Sequence, residues 1–210
     1  ELLHTLFPLG ELTKPEVRRI AQDAGLPNYA RKDSTGICFI GERNFKQFLA
    51  RYLPAQPGDM RTLAGEHKGR HDGLMYYTLG QRQGLGIGGA GDAWYVVAKD
   101  VLSNTLYVEQ GDDHPALYST GLTAGQLHWT VDTAPSLPLQ CRAKTRYRQD
   151  DQDCRVQAAP GGAVAVHFAQ KQRAVTPGQS VVFYAEDVCL GGGTIVATEP
   201  VSPVLSNTLS

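Results

Sequence analysis

The chain lacks a long apolar run: no segment of its 210 residues approaches the roughly 20 consecutive apolar residues that a membrane helix requires. It also lacks a secretory leader. The opening Glu1-Leu2-Leu3-His4 carries no basic region and no small-residue cleavage site, and such a leader needs both. An initiator methionine is missing too, so the first residues read as the interior of a longer protein. Net charge is nearly absent. The 20 Lys and Arg balance the 21 Asp and Glu to a formal −1, which excludes polyanion binding by bulk charge and makes any such site local. Cysteine is scarce, with Cys38, Cys141, Cys154 and Cys189 far apart and no C-x-x-C pair. That spacing excludes a dense disulfide framework and argues against a zinc ribbon. A reducing cytoplasm is the simpler setting, with no membrane partner.

Glycine and proline, by contrast, are plentiful: 23 Gly and 12 Pro predict many turns and short strands. One helix is predicted early. Thr13-Lys14-Pro15-Glu16 has capping-box spacing with Pro in the first turn. Val17, Ile20, Ala21 and Ala24 then recur at helical spacing, and Gly25 closes the run. This apolar stripe needs a partner surface that the nearby sequence does not supply, which again suggests a missing N-terminal domain. Residues 28–43 read as a loop, and Phe45, Phe48, Leu49 and Tyr52 predict a second helix.

Strands are predicted at Met60–Leu63, Trp94–Ala98 and Thr105–Gln110, with a Gly-rich loop from Thr78 to Gly89 between them. Six more follow at Leu122–Trp129, Leu139–Tyr147, Cys154–Ala158, Ala163–Phe168, Ser180–Tyr184 and Gly193–Ala197, punctuated by Pro160-Gly161-Gly162 and Pro177-Gly178. The expected fold is mainly β with a short helical N-terminal segment, a small β-rich central domain and an antiparallel six-stranded β-barrel. The expected divisions are residues 1–50, 51–112 and 113–210, and the tail after Pro200 reads as disordered.

Three features bear on chemistry. Cys38 lies between a glycine-containing turn and a short apolar run, with Arg31 and Lys32 upstream. Taken alone it fits either a buried filler or a thiol activated by nearby cations and turn amides. Arg142, Lys144, Arg146 and Arg148 alternate with Cys141, Ala143, Thr145 and Tyr147, and no acidic residue falls between Asp132 and Asp150. On one strand all four cations share a face about 7 Å apart, near the spacing of successive phosphates. A solvated strand face is the other reading. Third, Gly86-Ile87-Gly88-Gly89-Ala90-Gly91 formally matches G-x-G-x-x-G. Without a surrounding βαβ unit the dinucleotide reading is rejected, which leaves a flexible hairpin or a loop that, with Gln81 and Arg82, approaches phosphates. His71 and His114 have no clear partner and read as structural. Cys141 and Cys154 flank a hairpin and read as buried filler, although they are able to face each other. Cys189 lies at a turn without a base.

Several stretches together resemble the MnmA family of tRNA-specific 2-thiouridylases. They are Leu6-Phe7-Pro8-Leu9-Gly10 with Thr13-Lys14, Lys32-Asp33-Ser34-Thr35-Gly36-Ile37-Cys38-Phe39-Ile40-Gly41, Tyr77 to Gly89, Lys144-Thr145-Arg146-Tyr147-Arg148-Gln149, Thr176-Pro177-Gly178-Gln179-Ser180, and Cys189-Leu190-Gly191-Gly192-Gly193. They occur in order across nearly the whole chain.

The resemblance implies an ATP-dependent tRNA sulfurtransferase that makes 2-thiouridine at the wobble position. An N-terminal PP-loop domain, using ATP with Mg, adenylates the uridine C2 oxygen. Cys38 receives sulfur as a persulfide from a relay protein and works with a second cysteine of that domain. Arg146, Tyr147 and Gln179 contact tRNA, with Arg142, Lys144 and Arg148 as weaker candidates. The family's S-G-G-x-D-S nucleotide loop and its partner cysteine are absent from this sequence. We therefore expect that these residues alone bind no ATP and do not thiolate tRNA, and that the chain is a monomer. The competing expectation is a non-catalytic RNA-binding β-barrel module in which Cys38 is inert.

Overall fold

The computed structural model describes residues 4–31, 52, 54–147 and 149–201. Cys38, Arg148 and the predicted helix around Phe45–Leu49 lie outside the described residues. The chain divides into two units, Glu1–Leu53 and Pro54–Ser210.

In the first unit, α1 (Lys14–Asp23) starts where the sequence places its cap. The Glu16 carboxylate accepts from the Thr13 N–H at 2.8 Å and the Thr13 hydroxyl at 2.6 Å. These two bonds, the hydroxyl's first, hold the Glu16 carboxyl below its usual range. At the other end the Gly25 N–H donates to the Gln22 carbonyl at 3.0 Å and the Leu26 N–H to that of Ala21 at 2.9 Å. That Schellman arrangement needs a left-handed residue, and Gly25 supplies φ +68°. No α1 residue is buried.

The second unit contains ten strands among its described residues, in a mixed sheet and a closed barrel. The sheet uses β1 (Gly58–Arg61), β2 (His67–His71), β3 (Trp94–Asp100) and β4 (Thr105–Gln110) in the order β2-β1-β4-β3, with β1 and β4 parallel. Strand β2, His-Lys-Gly-Arg-His, was not expected, because it has no apolar residue to show the period-2 pattern of a half-buried strand. It sits at the sheet edge and pairs with β1 alone. Met60, Val96, Leu106 and Val108 fill the core of this sheet.

The barrel closes as β10-β5-β8-β7-β6-β9. Its strands are β5 (Tyr118–Trp129), β6 (Leu139–Lys144), β7 (Gln152–Ala158), β8 (Val164–Arg173), β9 (Ser180–Ala185) and β10 (Val188–Pro200). This is the mainly β fold with a six-stranded antiparallel barrel expected from the turn spacing. One boundary differs in a way that matters: β6 ends at Lys144, not Tyr147. The Thr145 hydroxyl turns onto Gln149 at 3.0 Å, and the chain leaves the sheet there.

Alternate residues of each strand point inward. Leu122, Val156, Val166, Val181, Phe183 and Ile195 are 0–1% exposed and fill the barrel. The Phe183 ring stacks 5.8 Å from Trp129. Strand β10 crosses the end of this core at a glycine run. A Cβ on Gly192 would lie 2.3 Å from the Val181 carbonyl oxygen. Gly191 has φ +141°, and a Cβ there would lie 2.3 Å from the His128 oxygen.

Phe183→Ala removes the largest fully buried side chain among the described residues. It is expected to cost about 3–5 kcal/mol. Urea unfolding followed by Trp fluorescence checks this, and a loss below about 1 kcal/mol would show that the barrel interior is loosely packed.

Candidate nucleic-acid interface

The rim of the barrel carries an open cleft of about 980 Å³. Three segments distant in sequence build it: residues 78–83 of the Gly-rich loop, residues 144–147 after β6, and the turn at Thr176–Gln179 with the outer side of β9. Arg146, Tyr147 and Gln179 all line it, as do Gln81, Arg82 and Lys144.

The segment after β6 is held by a buried amide network. Thr145 is buried and its hydroxyl donates to Gln149 Oε1. Gln149 Nε2 donates to Gln172 Oε1 at 2.6 Å. Gln172, 3% exposed, donates in turn to Gln152 Oε1 at 3.2 Å and to the Gln170 carbonyl at 2.8 Å. Polar groups taken out of water in this way are costly unless satisfied, so the network fixes one loop geometry. The Arg146 guanidinium then reaches across to donate to the Ala174 carbonyl at 3.1 Å. That carbonyl also accepts from the Thr176 hydroxyl at 3.0 Å. One anchored N–H leaves the rest of the exposed guanidinium fork directed at the cleft's solvent. Tyr147 is 95% exposed. No internal packing accounts for a large ring in that position.

Gln179 ends a proline–glycine turn. Pro177 presets one central residue, Gly178 takes φ +86° at the next, and the Gln179 N–H closes onto the Thr176 carbonyl at 3.3 Å. The Gly178 N–H donates to the Ile195 carbonyl, and the Ile195 N–H donates to Gln179, both at 2.8 Å. The backbone is thereby fastened to β10, while the Gln179 side chain stays exposed.

The Gly-rich loop enters from the central sheet. Gln81 Oε1 accepts from the Thr78 N–H at 3.0 Å, and Gln81 Nε2 donates to the Gln83 carbonyl at 2.9 Å. The Gly80 N–H donates to the Val96 carbonyl at 2.8 Å, tying the loop to β3. Gly80, at φ +76°, lies so close to the barrel that an added Cβ would meet Ala174 Cβ and Arg173 Nη1 at 3.2 Å. Arg82 is exposed at the rim. No helix opens after Gly91, so the rejected dinucleotide reading has no structural support.

The row of four cations is corrected. Because β6 stops at Lys144, Arg146 does not continue a strand face, and Arg148 lies outside the described residues. Asp151 returns on the opposite side of the hairpin and pairs with Lys144 Nζ at 2.9 Å and Arg142 Nη1 at 3.4 Å. Arg142 also donates to the Glu186 carbonyl at 2.7 Å. The Asp151 hydrogen bond raises the Lys144 pKa, and the ammonium lies 5.6 Å over the Tyr184 ring. A scan along the sequence stops at Asp150, whereas the β6–β7 register places Ala143 opposite Gln152 and so brings Asp151 beside Lys144. The cleft's character is therefore two exposed Arg forks, Arg82 and Arg146, a flat exposed ring and several amides rather than a comb of charge.

The remaining candidates are structural or separate. His71 is 1% exposed; its Nδ1 accepts from the Gly73 N–H at 3.0 Å, so Nε2 donates to the Asn104 carbonyl at 3.1 Å. His114 Nδ1 accepts from the Ala116 N–H and starts a short turn. Among the described residues no group of three or more His, Cys, Asp or Glu could hold a metal. No helix among them is long and apolar enough to cross a membrane. The Gln149–Gln172–Gln152 network and the Ala174 anchor were not foreseen. Only Gln149 left a sequence signal, as the last residue of the K-T-R-Y-R-Q stretch.

Comparison with known proteins covers all three parts of the chain. Residues 119–195 match the aminomethyltransferase beta-barrel domain model, residues 46–110 the tRNA methyl transferase PRC-barrel domain, and residues 1–42 the tRNA methyl transferase HUP domain. The tRNA-specific 2-thiouridylase MnmA of Nitrosococcus oceani is 62% identical over 203 residues, covering 95% of this chain and 55% of the relative. That of Methylococcus capsulatus is 63% identical over 204 residues, with 94% and 55% covered. That of Halalkalibacterium halodurans is 61% identical over 195 residues, with 93% and 53% covered. The chain thus spans about half the length of the curated relatives it matches. With identity near 60% along almost all of its residues, the chain belongs to the MnmA family of tRNA-specific 2-thiouridylases.

Proposed function

We propose that this chain is the RNA-holding and sulfur-carrying part of an ATP-dependent tRNA sulfurtransferase that forms 2-thiouridine at the wobble position. The observation that carries the reading is the convergence of Arg146, Tyr147 and Gln179 on one cleft. In this reading residues 1–50 end the catalytic domain, 51–112 form the central domain and 113–210 form the tRNA-binding barrel. An exposed Arg fork suits a phosphate. An exposed ring suits a splayed base. Gln179 and Gln81 offer neutral hydrogen bonds to sugar or base edges.

Cys38 is the proposed persulfide carrier, loaded by a sulfur-relay protein. Support comes from the S-T-G-I-C-F stretch inside the segment matched by the HUP model. A terminal persulfide sulfur is a strong nucleophile at neutral pH. Its attack at C2 of an adenylated uridine forms the C–S bond and expels AMP. The second cysteine of the N-terminal domain then attacks Cys38 Sγ, which breaks the S–S bond, releases the 2-thiouridine and leaves the two cysteines as a disulfide. The chemistry suits a reducing cytoplasm.

Helix α1 offers no site that fits ATP. The N-terminus of α1, where a phosphate would be favoured, is occupied by the Glu16 carboxylate. The S-G-G-x-D-S loop does not occur in the sequence. No step is therefore assigned to ATP or Mg here, and adenylation belongs to the full-length enzyme.

A second reading, a non-catalytic RNA-binding module, is favoured by the completeness of the cleft without Cys38. Persulfide loading separates the two. Incubated with a labelled persulfide donor, the chain is expected to acquire a sulfane sulfur that Cys38→Ser abolishes. Equal loading of the variant would leave only the binding module.

The cleft has its own tests. Arg146→Ala is expected to weaken tRNA binding about tenfold and to reduce the salt slope by about 1. Tyr147→Ala should cost about 1–3 kcal/mol of binding, yet change folding stability by less than about 0.5 kcal/mol. Asp151→Asn removes the anion beside Lys144 and should strengthen binding a few-fold with a steeper salt slope. Filter binding across a salt series measures all three. Unchanged affinity in Arg146→Ala would move the interface elsewhere.

A further inference from the structure

The structure places two thiols together that the sulfur-transfer reading does not use. Cys141 on β6 and Cys154 on β7 are directly opposed in register, and their Sγ atoms are 3.7 Å apart. We propose that Cys141 and Cys154 form an oxidisable dithiol, a thiol–disulfide site that closes the β6–β7 hairpin covalently when a hydroperoxide reaches it.

Backbone spacing permits the bond. Opposed residues of an antiparallel pair have Cα atoms about 4.5–5.5 Å apart, inside the 4.4–6.8 Å range that disulfides occupy. The sulfurs must close from 3.7 Å to about 2.05 Å, which side-chain rotation supplies. The two thiols have different surroundings. Cys154 is 4% exposed within the barrel core, whereas Cys141 is half-buried at its margin. The hydrogen bond from Cys154 favours the Cys141 thiolate, while the same contact and burial disfavour ionisation of Cys154. Cys141 is thus the attacking residue and Cys154 the resolving one.

The chemistry balances in two steps. The Cys141 thiolate attacks one oxygen of hydrogen peroxide, breaking the O–O bond and giving sulfenic acid and hydroxide, which takes the proton the Cys141 thiol released and leaves as water. Cys154 Sγ then attacks the sulfenic sulfur, the S–O bond breaks, and its thiol proton leaves with the second water. Two thiols are oxidised and one peroxide is reduced. The bond would sit three residues before Lys144 and three after Asp151. It would therefore tie the base of the hairpin whose connecting segment presents Arg146 and Tyr147.

The test uses the full chain carrying Cys38→Ser and Cys189→Ser, which retains only this pair. After hydrogen peroxide treatment, thiol titration should fall from two groups per chain to none, and dithiothreitol should restore both. Trypsin cuts after Lys144 and Arg146, so non-reducing peptide mapping should show the Cys141 and Cys154 peptides linked within one monomer. The same mapping of the untreated-sequence chain, with no substitutions, should show the same linked peptides, which guards against a folding defect in the variant. Two thiols still free for alkylation, linkage only between chains, or oxidation that stops at sulfinic acid would each overturn the proposal.

Discussion

Strand β10 pairs with β5 along one side and β9 along the other, and this double pairing closes the barrel. The other features of the rim depend on it. Closure brings the backbone of β10 within van der Waals limits of its neighbours at Gly191 and Gly192, where no side chain fits. The register shifts at Cys189/Gly191 and Gly192/Thr194 then bend the strand around the core. Without that bend Ile195 would not meet the backbone of residues 178–179, and the turn that presents Gln179 would have no anchor. The glycine run of β10 is therefore a packing device, and it acts on the cleft only through the strand it bends.

The cleft is rigid for a second reason. Its most exposed side chains stand on the least exposed polar ones. Arg146 and Tyr147 follow Thr145, which is buried and bonded to Gln149, itself bonded to the buried Gln172. Three glutamines from β7, β8 and the loop thus convert the cost of burying amides into one loop conformation. The Ala174 carbonyl then orients the Arg146 guanidinium. Electrostatics is used sparingly. Asp151 pairs with the two strand cations nearest the loop, which leaves Arg146 and Arg82 as the exposed guanidinium groups of the cleft.

Much of this fold was legible. Period-2 alternation and turn residues identified nine of the ten strands, with Thr105–Gln110 correct at both ends. The cap at Thr13–Glu16 and the stop at Gly25 were readable because they are local chemistry. What was not legible depends on partners far along the chain. Strand β2 has no apolar residue and exists through its pairing with β1. The basic row looked continuous because its neutralising Asp151 is brought back by a hairpin, and because Gln149 ends the strand early. Ordered family motifs marked Arg146, Tyr147 and Gln179 in the sequence, but their meeting in one cleft required the barrel.

The barrel's interior also bears on why binding is proposed at its rim. Six strands enclose little volume, and Leu122, Val156, Val166, Val181, Phe183 and Ile195 fill it almost without exposed area. A small ligand has no room inside. An extended polymer does not need an interior: it needs a rigid edge with a few directed donors and a face on which to stack. Residues 144–147 and 176–179 provide that edge on the barrel, and residues 78–83 extend it onto the central sheet. At Gly80, whose φ of +76° favours glycine, an added Cβ would lie a tight 3.2 Å from Ala174 Cβ, so sheet and barrel approach closely between the two halves of the cleft. In the proposed reading, an RNA held across both halves is positioned by the packing between sheet and barrel as much as by any single charged contact.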